Sequence, residues 1–317
     1  MTTKPVPAAF GAVVLGLVGA SALIALERPA QETRKPSGQG VFPGETRALH
    51  GSAALLAASV LADSGIEHYR GSFENPGMFA PLISATLALV AGAEGAAAAS
   101  PGAGAFRRSA YGLSIGIGAT GLAFHIYNIF KRPGGWSWLN LFYGAPVGAP
   151  AALSACGIVG LGAERLARQS APAPRFFGIS AGRLLGAFSS LALAGTVAEV
   201  ALLHFRGAFQ NPFMWAPVTL PPVASVVMAK ASLEPPSPKH PFTRAWLWAT
   251  ALLGFIGMGF HAYGVSRAMG GWRNWSQNVI DGPPLPAPPS FSALSIAALS
   301  ALSLIEKEAD DVPRKAA

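Results

Sequence analysis

Apolar residues run almost unbroken through eight stretches, at about 50–69, 78–99, 109–130, 148–164, 184–205, 213–232, 245–266 and 289–305. A ninth, residues 8–26, precedes them. Each approaches the roughly 20 residues that a helix needs to cross a bilayer. None shows the strict apolar–polar alternation of a half-buried strand, so the pattern predicts helices throughout. Asn75-Pro76 and Asn211-Pro212 separate the first two helices of each group of four, because proline suits a first helical turn and disfavours the interior. Gly134-Gly135 and Gly270-Gly271 are expected to terminate the third helices. Pro221-Pro222 should kink or unwind the stretch at 213–232.

The breaks repeat. His68, Arg70, Gly71, Phe73, Asn75, Pro76 and Met78 recur 136 residues on as His204, Arg206, Gly207, Phe209, Asn211, Pro212 and Met214. The same offset aligns His125, Tyr127 and Trp136 with His261, Tyr263 and Trp272. The chain is therefore expected to be an internal duplication. It divides into an N-terminal helix with a polar linker (1–49), a four-helix membrane repeat (50–168), a basic linker (169–182), a second four-helix repeat (183–306) and a charged tail (307–317). An even number of crossings per repeat sets the two parallel, giving an all-α polytopic membrane protein of about nine spans.

Composition agrees with that reading. Of 317 residues, 51% are hydrophobic and 12% charged, where soluble domains carry about 25% charged residues. The net charge of +8 has no nucleic-acid motif beside it, so nucleic acid is not an expected partner and membrane lipid is. Seven of the 23 basic residues fall on the side of the His-Arg-Gly and Gly-Gly-Trp loops, the rest on the other. The positive-inside rule then places the motif loops and the N-terminus outside the cell membrane and the C-terminus in the cytoplasm, with residues 8–26 retained as a span. Cys156, alone in an apolar segment, is a core residue with no disulfide partner.

A polar set survives in both halves: Asp63, His68, Arg70, Asn75, His125, Tyr127, Trp136 and Asn140 in one, Glu199, His204, Arg206, Asn211, His261, Tyr263, Trp272 and Asn278 in the other. Ionisable groups are costly inside a membrane and default to a functional hypothesis. Helical rise puts Asp63, His68 and His125 in one layer, with Glu199, His204 and His261 repeating it. Gly118, Gly121 and His125 share a helical face, as do Gly254, Gly257 and His261, through which a flat ligand or a neighbouring helix gains close approach. His50 and His240 have no counterparts and are expected to be interfacial and incidental.

The leading expectation is a membrane subunit of an electron-transfer system. His68 with His125, and His204 with His261, would bind haem b, with Arg70 and Arg206 at the propionates; alternatively the histidines with Tyr127 and Tyr263 would frame a quinone. Asp63 and Glu199 are candidates for proton or ion handling, and an extracytoplasmic redox subunit is the expected partner. The four-plus-four layout resembles the membrane anchors of respiratory oxidoreductases, none of whose motifs occur. The alternatives are a transporter working through a broken helix at Pro221-Pro222, a divalent-metal site at Asp63, His68 and His125, and a plain membrane anchor whose histidines cross-link helix ends. No phosphate loop, dinucleotide fingerprint, Cys-x-x-Cys or His-Glu-x-x-His occurs, so the chain is expected to serve a partner rather than act as an enzyme on its own.

Overall fold

A computed structural model describes residues 42–98 and 102–311. The apolar run at 8–26 and the last six residues lie outside the described residues. Helix α1 (Pro43–Arg70) is followed by a 3-10 turn, Pro76–Phe79, that leads into α2 (Ala80–Ala97). Then come α3 (Ala105–Phe130), the short α4 (Trp138–Phe142) and α5 (Gly148–Leu166). A hairpin of two-residue strands, β1 (Arg175–Phe176) and β2 (Ile179–Ser180), leads to α6 (Ala181–Arg206). The turn Pro212–Trp215, α7 (Ala216–Leu233), α8 (Pro241–Arg267), the turn Gly271–Asn274, α9 (Trp275–Ile280) and α10 (Pro289–Asp311) complete the chain.

Seven of these helical segments are long and apolar enough to cross a membrane. Helix α5 is not among them, because its glycines, Glu164 and Arg165 dilute its hydropathy. What is buried identifies the solvent. In α7, Ala224, Ser225, Ala231 and Ser232 face inward, while Val226 is 67% and Leu233 73% exposed. Ile83, Leu191, Leu252 and Ile256 are likewise exposed on their helices. Small residues inside and large apolar ones outside is the arrangement expected of helices packed in lipid, where close approach rather than hydrophobic burial holds them together. The protein is a multi-pass, all-helical membrane protein.

Hydroxyls and one thiol link the helices. Ser52 donates to Ala293 O (2.7 Å) between α1 and α10, and Cys156 Sγ to Ala53 O (3.2 Å) between α5 and α1. Ser154 donates to Ile115 O between α5 and α3, and Ser292 to Ala251 O between α10 and α8. Helices α1 and α10 lie at the centre. Helix α1 packs on α2, α5 and α10; α10 packs on α6 and α8. Around the first bundle, α1 and α3 each contact α2 and α5 yet sit diagonally apart, and α6 and α8 stand in the same relation about α7 and α10. The seam between α5 and α6 is much thinner than that between α1 and α10.

Three sequence expectations change. Helix α7 runs uninterrupted through Pro221 and Pro222, which fall in its second turn, and the Thr219 hydroxyl donates to Trp215 O at 2.9 Å beside them. The paired glycines do not end the third helices. Helix α3 stops at Phe130 and α8 at Arg267, and Gly134, Gly135, Gly270 and Gly271, with φ between +52° and +88°, shape the loops beyond. The basic linker contains the β1–β2 hairpin instead of irregular chain.

Candidate functional site

The loop after α1 explains much of the first motif. The chain reverses through Ser72 and Phe73, both at positive φ (54° and 48°), and Phe73 stacks on Phe79 at 4.4 Å. Asn75 accepts a hydrogen bond from the Gly77 N–H at 2.8 Å and so caps the next turn. The Met78 methyl lies so near Gly71 that a Cβ there would stand 3.1 Å from it. His68 Nδ1 then donates to Met78 O at 2.7 Å, pinning the loop to the end of α1. The loop after α6 makes the same contacts. Ala208 and Phe209 have positive φ, Phe209 stacks on Trp215 at 4.1 Å, Asn211 caps Phe213, and His204 Nδ1 donates to Met214 O at 2.7 Å.

The third helices are tied by the same device. His125 Nδ1 donates to Pro146 O, and His261 Nδ1 to Pro284 O at 2.7 Å. Asn140 and Asn278, both buried, hold the Gly-Gly loops through carbonyls of Pro133 and Gly135, and of Met269 and Gly271. A carbonyl oxygen only accepts, so all four imidazoles carry their proton on Nδ1 and present the Nε2 lone pair. His68 and His125 are within electrostatic reach of each other across the diagonal of their bundle, and so are His204 and His261.

The glycine face is closed. A Cβ at Gly118 would meet Pro150 O and Ser154 N at 2.6 Å, and one at Gly254 would meet Pro288 O at 2.7 Å and Ser292 N at 2.8 Å. These glycines admit α5 and α10 to close packing and leave no room for a macrocycle. The donor chemistry of the histidine pairs therefore fits an axially ligated haem, while the glycine face does not receive it.

The acids do not join the histidine layer. Asp63 is instead within electrostatic reach of Glu67 and Glu199, on either side of the boundary between the bundles. Glu199 accepts the N–H of Gly148, the first residue of α5. Among the described residues no three histidine, cysteine or carboxylate side chains converge as a metal site. Arg70 pairs with Glu67 (2.8 Å) at the surface, and Arg206 lies over the Phe142 ring at 5.2 Å. Tyr127 and Tyr263 point outward, 56% and 61% exposed. Beside Tyr263 a shallow, almost wholly apolar concavity of about 420 Å³ is lined by Ile256, Gly259 and Phe260.

At the opposite end lies a cluster that the search for duplicated residues passed over. His50 is fully buried, not interfacial, and its Nδ1 is 2.9 Å from the Tyr111 hydroxyl. Its Nε2 stands 3.6 Å from Glu164 Oε1, an ion-pair distance too long for a hydrogen bond. Glu164, 1% exposed, accepts from Arg107 Nε and from the Gly104 N–H, both at 2.6 Å. Arg107 also reaches Glu94 at 2.9 Å. Glycine makes the space: a Cβ at Gly95 would stand 2.7 Å from His50 Nδ1, and one at Gly160 2.5 Å from Tyr111 Cγ. At the repeat offset the second half has Gly186, Leu247 and Leu302, so this end is apolar there and charged here. The signal available in the sequence was Glu164 beside an apolar run, with Arg107 at the head of another. His240 is half-buried at the start of α8, where its backbone N–H donates to Glu306 and its Nε2 is buried without a partner.

Comparison with protein families, with curated proteins and with solved structures gives no match. Function is therefore argued from the site alone.

Proposed function

We propose that this is a membrane subunit of an electron-transfer system, built as two parallel four-helix repeats, whose paired histidines bind haem b near the non-cytoplasmic face. The supporting observation is the common state of four imidazoles. Each is oriented by an Nδ1–H bond to a backbone carbonyl, each keeps Nε2 as a ligand atom, and they are paired across bundle diagonals. Ligating histidines are characteristically oriented in this way. Bound there, haem would supply one-electron chemistry; His68 with His125, and His204 with His261, would hold it. Duplication is supported by the recurrence of both clasps at an offset of 136 residues.

A reduced-minus-oxidised spectrum of the detergent-solubilised full chain, expressed with ample haem, tests this. Sharp b-type bands are expected, with about half the absorbance lost in His125→Ala and about half in His261→Ala, as axial ligation by two pairs requires. A featureless spectrum reduces the histidines to clasps between helix ends and loops. Quinone is the second reading, favoured by the apolar concavity beside Tyr263 on the membrane-facing side of α8. Asp63 and Glu199 are the candidate proton carriers in either case, and an extracytoplasmic redox subunit is the proposed partner.

Nine spans follow if residues 8–26 and α5 cross with the other seven, setting the N-terminus outside and the C-terminus in the cytoplasm of a cell-membrane protein. The described arginines and lysines are more numerous at the end opposite the motif loops, as the positive-inside rule requires. Cysteine placed at Ser72 should react with an impermeant maleimide in intact cells, and cysteine at Ser237 only after permeabilisation. The reverse pattern overturns the orientation. Cys156 is fully buried and gives no background.

A further inference from the structure

The β1–β2 hairpin between α5 and α6 carries a feature that neither the histidines nor the buried acid network uses. Its strands pair Arg175 with Ser180 and Phe176 with Ile179. Phe177 and Gly178 form the turn at φ +53° and +80°. A bulky residue at positive φ is uncommon, and here it is braced. The Arg165 guanidinium lies 4.1 Å over the Phe177 ring, and Arg175 donates to Gly178 O at 2.9 Å. Phe176, 5% exposed, roots the hairpin in the core. Between hairpin and helix end is a cavity of about 230 Å³ lined by Arg165, Arg168, Gln169, Arg175, Phe176 and Phe177.

Three guanidinium groups and an amide thus line one small cavity that no acidic side chain enters. Other basic residues at this end are answered by protein acceptors: Arg107 by Glu164, Arg244 by Glu306, Lys307 by Glu45, and Arg183 by the carbonyls of Ser232 and Leu233. Guanidinium forks match phosphate oxygens in pairs. The hairpin also exposes Phe177 (76%) and Ile179 (52%) where α5 ends and α6 begins, the level of the lipid headgroups. Those apolar side chains have a use only if the phosphate arrives attached to a lipid.

We propose that this hairpin cavity binds the phosphate of an anionic phospholipid from the adjacent leaflet, with Arg168 and Arg175 on the phosphate and Phe177 and Ile179 against the glycerol and upper chains. Juxtamembrane arginines are attracted to acidic leaflets in general, so the test must separate a built site from diffuse charge.

The full chain is reconstituted in nanodiscs of phosphatidylcholine with a small fraction of phosphatidylglycerol, and the lipid retained on release is counted by native mass spectrometry. Retention of phosphatidylglycerol is expected over phosphatidylcholine. It should weaken about tenfold in Arg168→Gln/Arg175→Gln, as loss of charge-assisted hydrogen bonds implies, and stay unchanged in Lys230→Gln/Lys239→Gln, which removes equal charge at the same end. Because Arg175 also braces the turn, Arg168→Gln alone is measured beside the double variant, with thiol reactivity at Cys156 confirming the fold. Equal losses in the two double variants, or no preference between the lipids, overturn the proposal. Displacement of phosphatidylglycerol by millimolar inorganic phosphate would assign the site to free phosphate and overturn the lipid as its ligand.

Discussion

Glu164→Ala is expected to cost about 3–5 kcal/mol of stability, the range for removing one partner of a buried ion pair. Glu164 is 1% exposed and takes two bonds of 2.6 Å, from Arg107 Nε and the Gly104 N–H. The truncated side chain would leave the buried Arg107 guanidinium facing Glu94 alone, and Glu94 is largely exposed. His50 Nε2, already without a hydrogen bond, would lose its nearest acceptor. Glu94→Ala serves as the contrast, since an exposed partner contributes about 1 kcal/mol or less. Cys156 provides the readout. As the chain's one cysteine, fully buried, it reacts with a thiol-sensitive dye only as the helices separate on heating. Equal midpoints for the two variants would show that the network is not holding this end together.

Gly118→Ala and Gly254→Ala are each expected to cost about 1–3 kcal/mol, the range for overpacking a close-fitted site. The added methyl would meet the Pro150 carbonyl at 2.6 Å in one and the Pro288 carbonyl at 2.7 Å in the other. Backbone cannot rotate aside as a side chain can, so α3 must withdraw from α5, or α8 from α10. At Gly259 a Cβ meets nothing within 4 Å, so Gly259→Ala should leave the melting midpoint unchanged. If the first two variants melt like the wild type while any bound haem is lost, the glycine face is a ligand slot after all and the packing is misassigned.

The helices were legible because their cause is local. Long apolar runs broken at Asn-Pro and Gly-Gly predict spans, and the eight stretches fall within the eight long helices to within a few residues of most ends. Pro221 and Pro222 misled because proline early in a helix removes donors that the first turns leave largely unused, and α7 accommodates both. The histidines were legible as residues but not in their task. Nothing local in His68 or His125 indicates that Met78 O or Pro146 O will take its Nδ1 proton. Asp63 was placed with the histidines by helical rise alone. Rise gives depth in the membrane and says nothing of azimuth, and it is azimuth that turns Asp63 toward Glu199.

The amino-acid sequence by itself determined the membrane class, the helix limits and the repeated polar set, because hydropathy, proline and glycine act over neighbouring residues. Only the tertiary structure decided that the glycine face closes on α5 and α10, and that His50, Tyr111, Arg107 and Glu164 meet, drawn from three helices and more than 100 residues of chain. Such contacts depend on how helices rotate about their axes when they pack, and that rotation is set jointly by every neighbour.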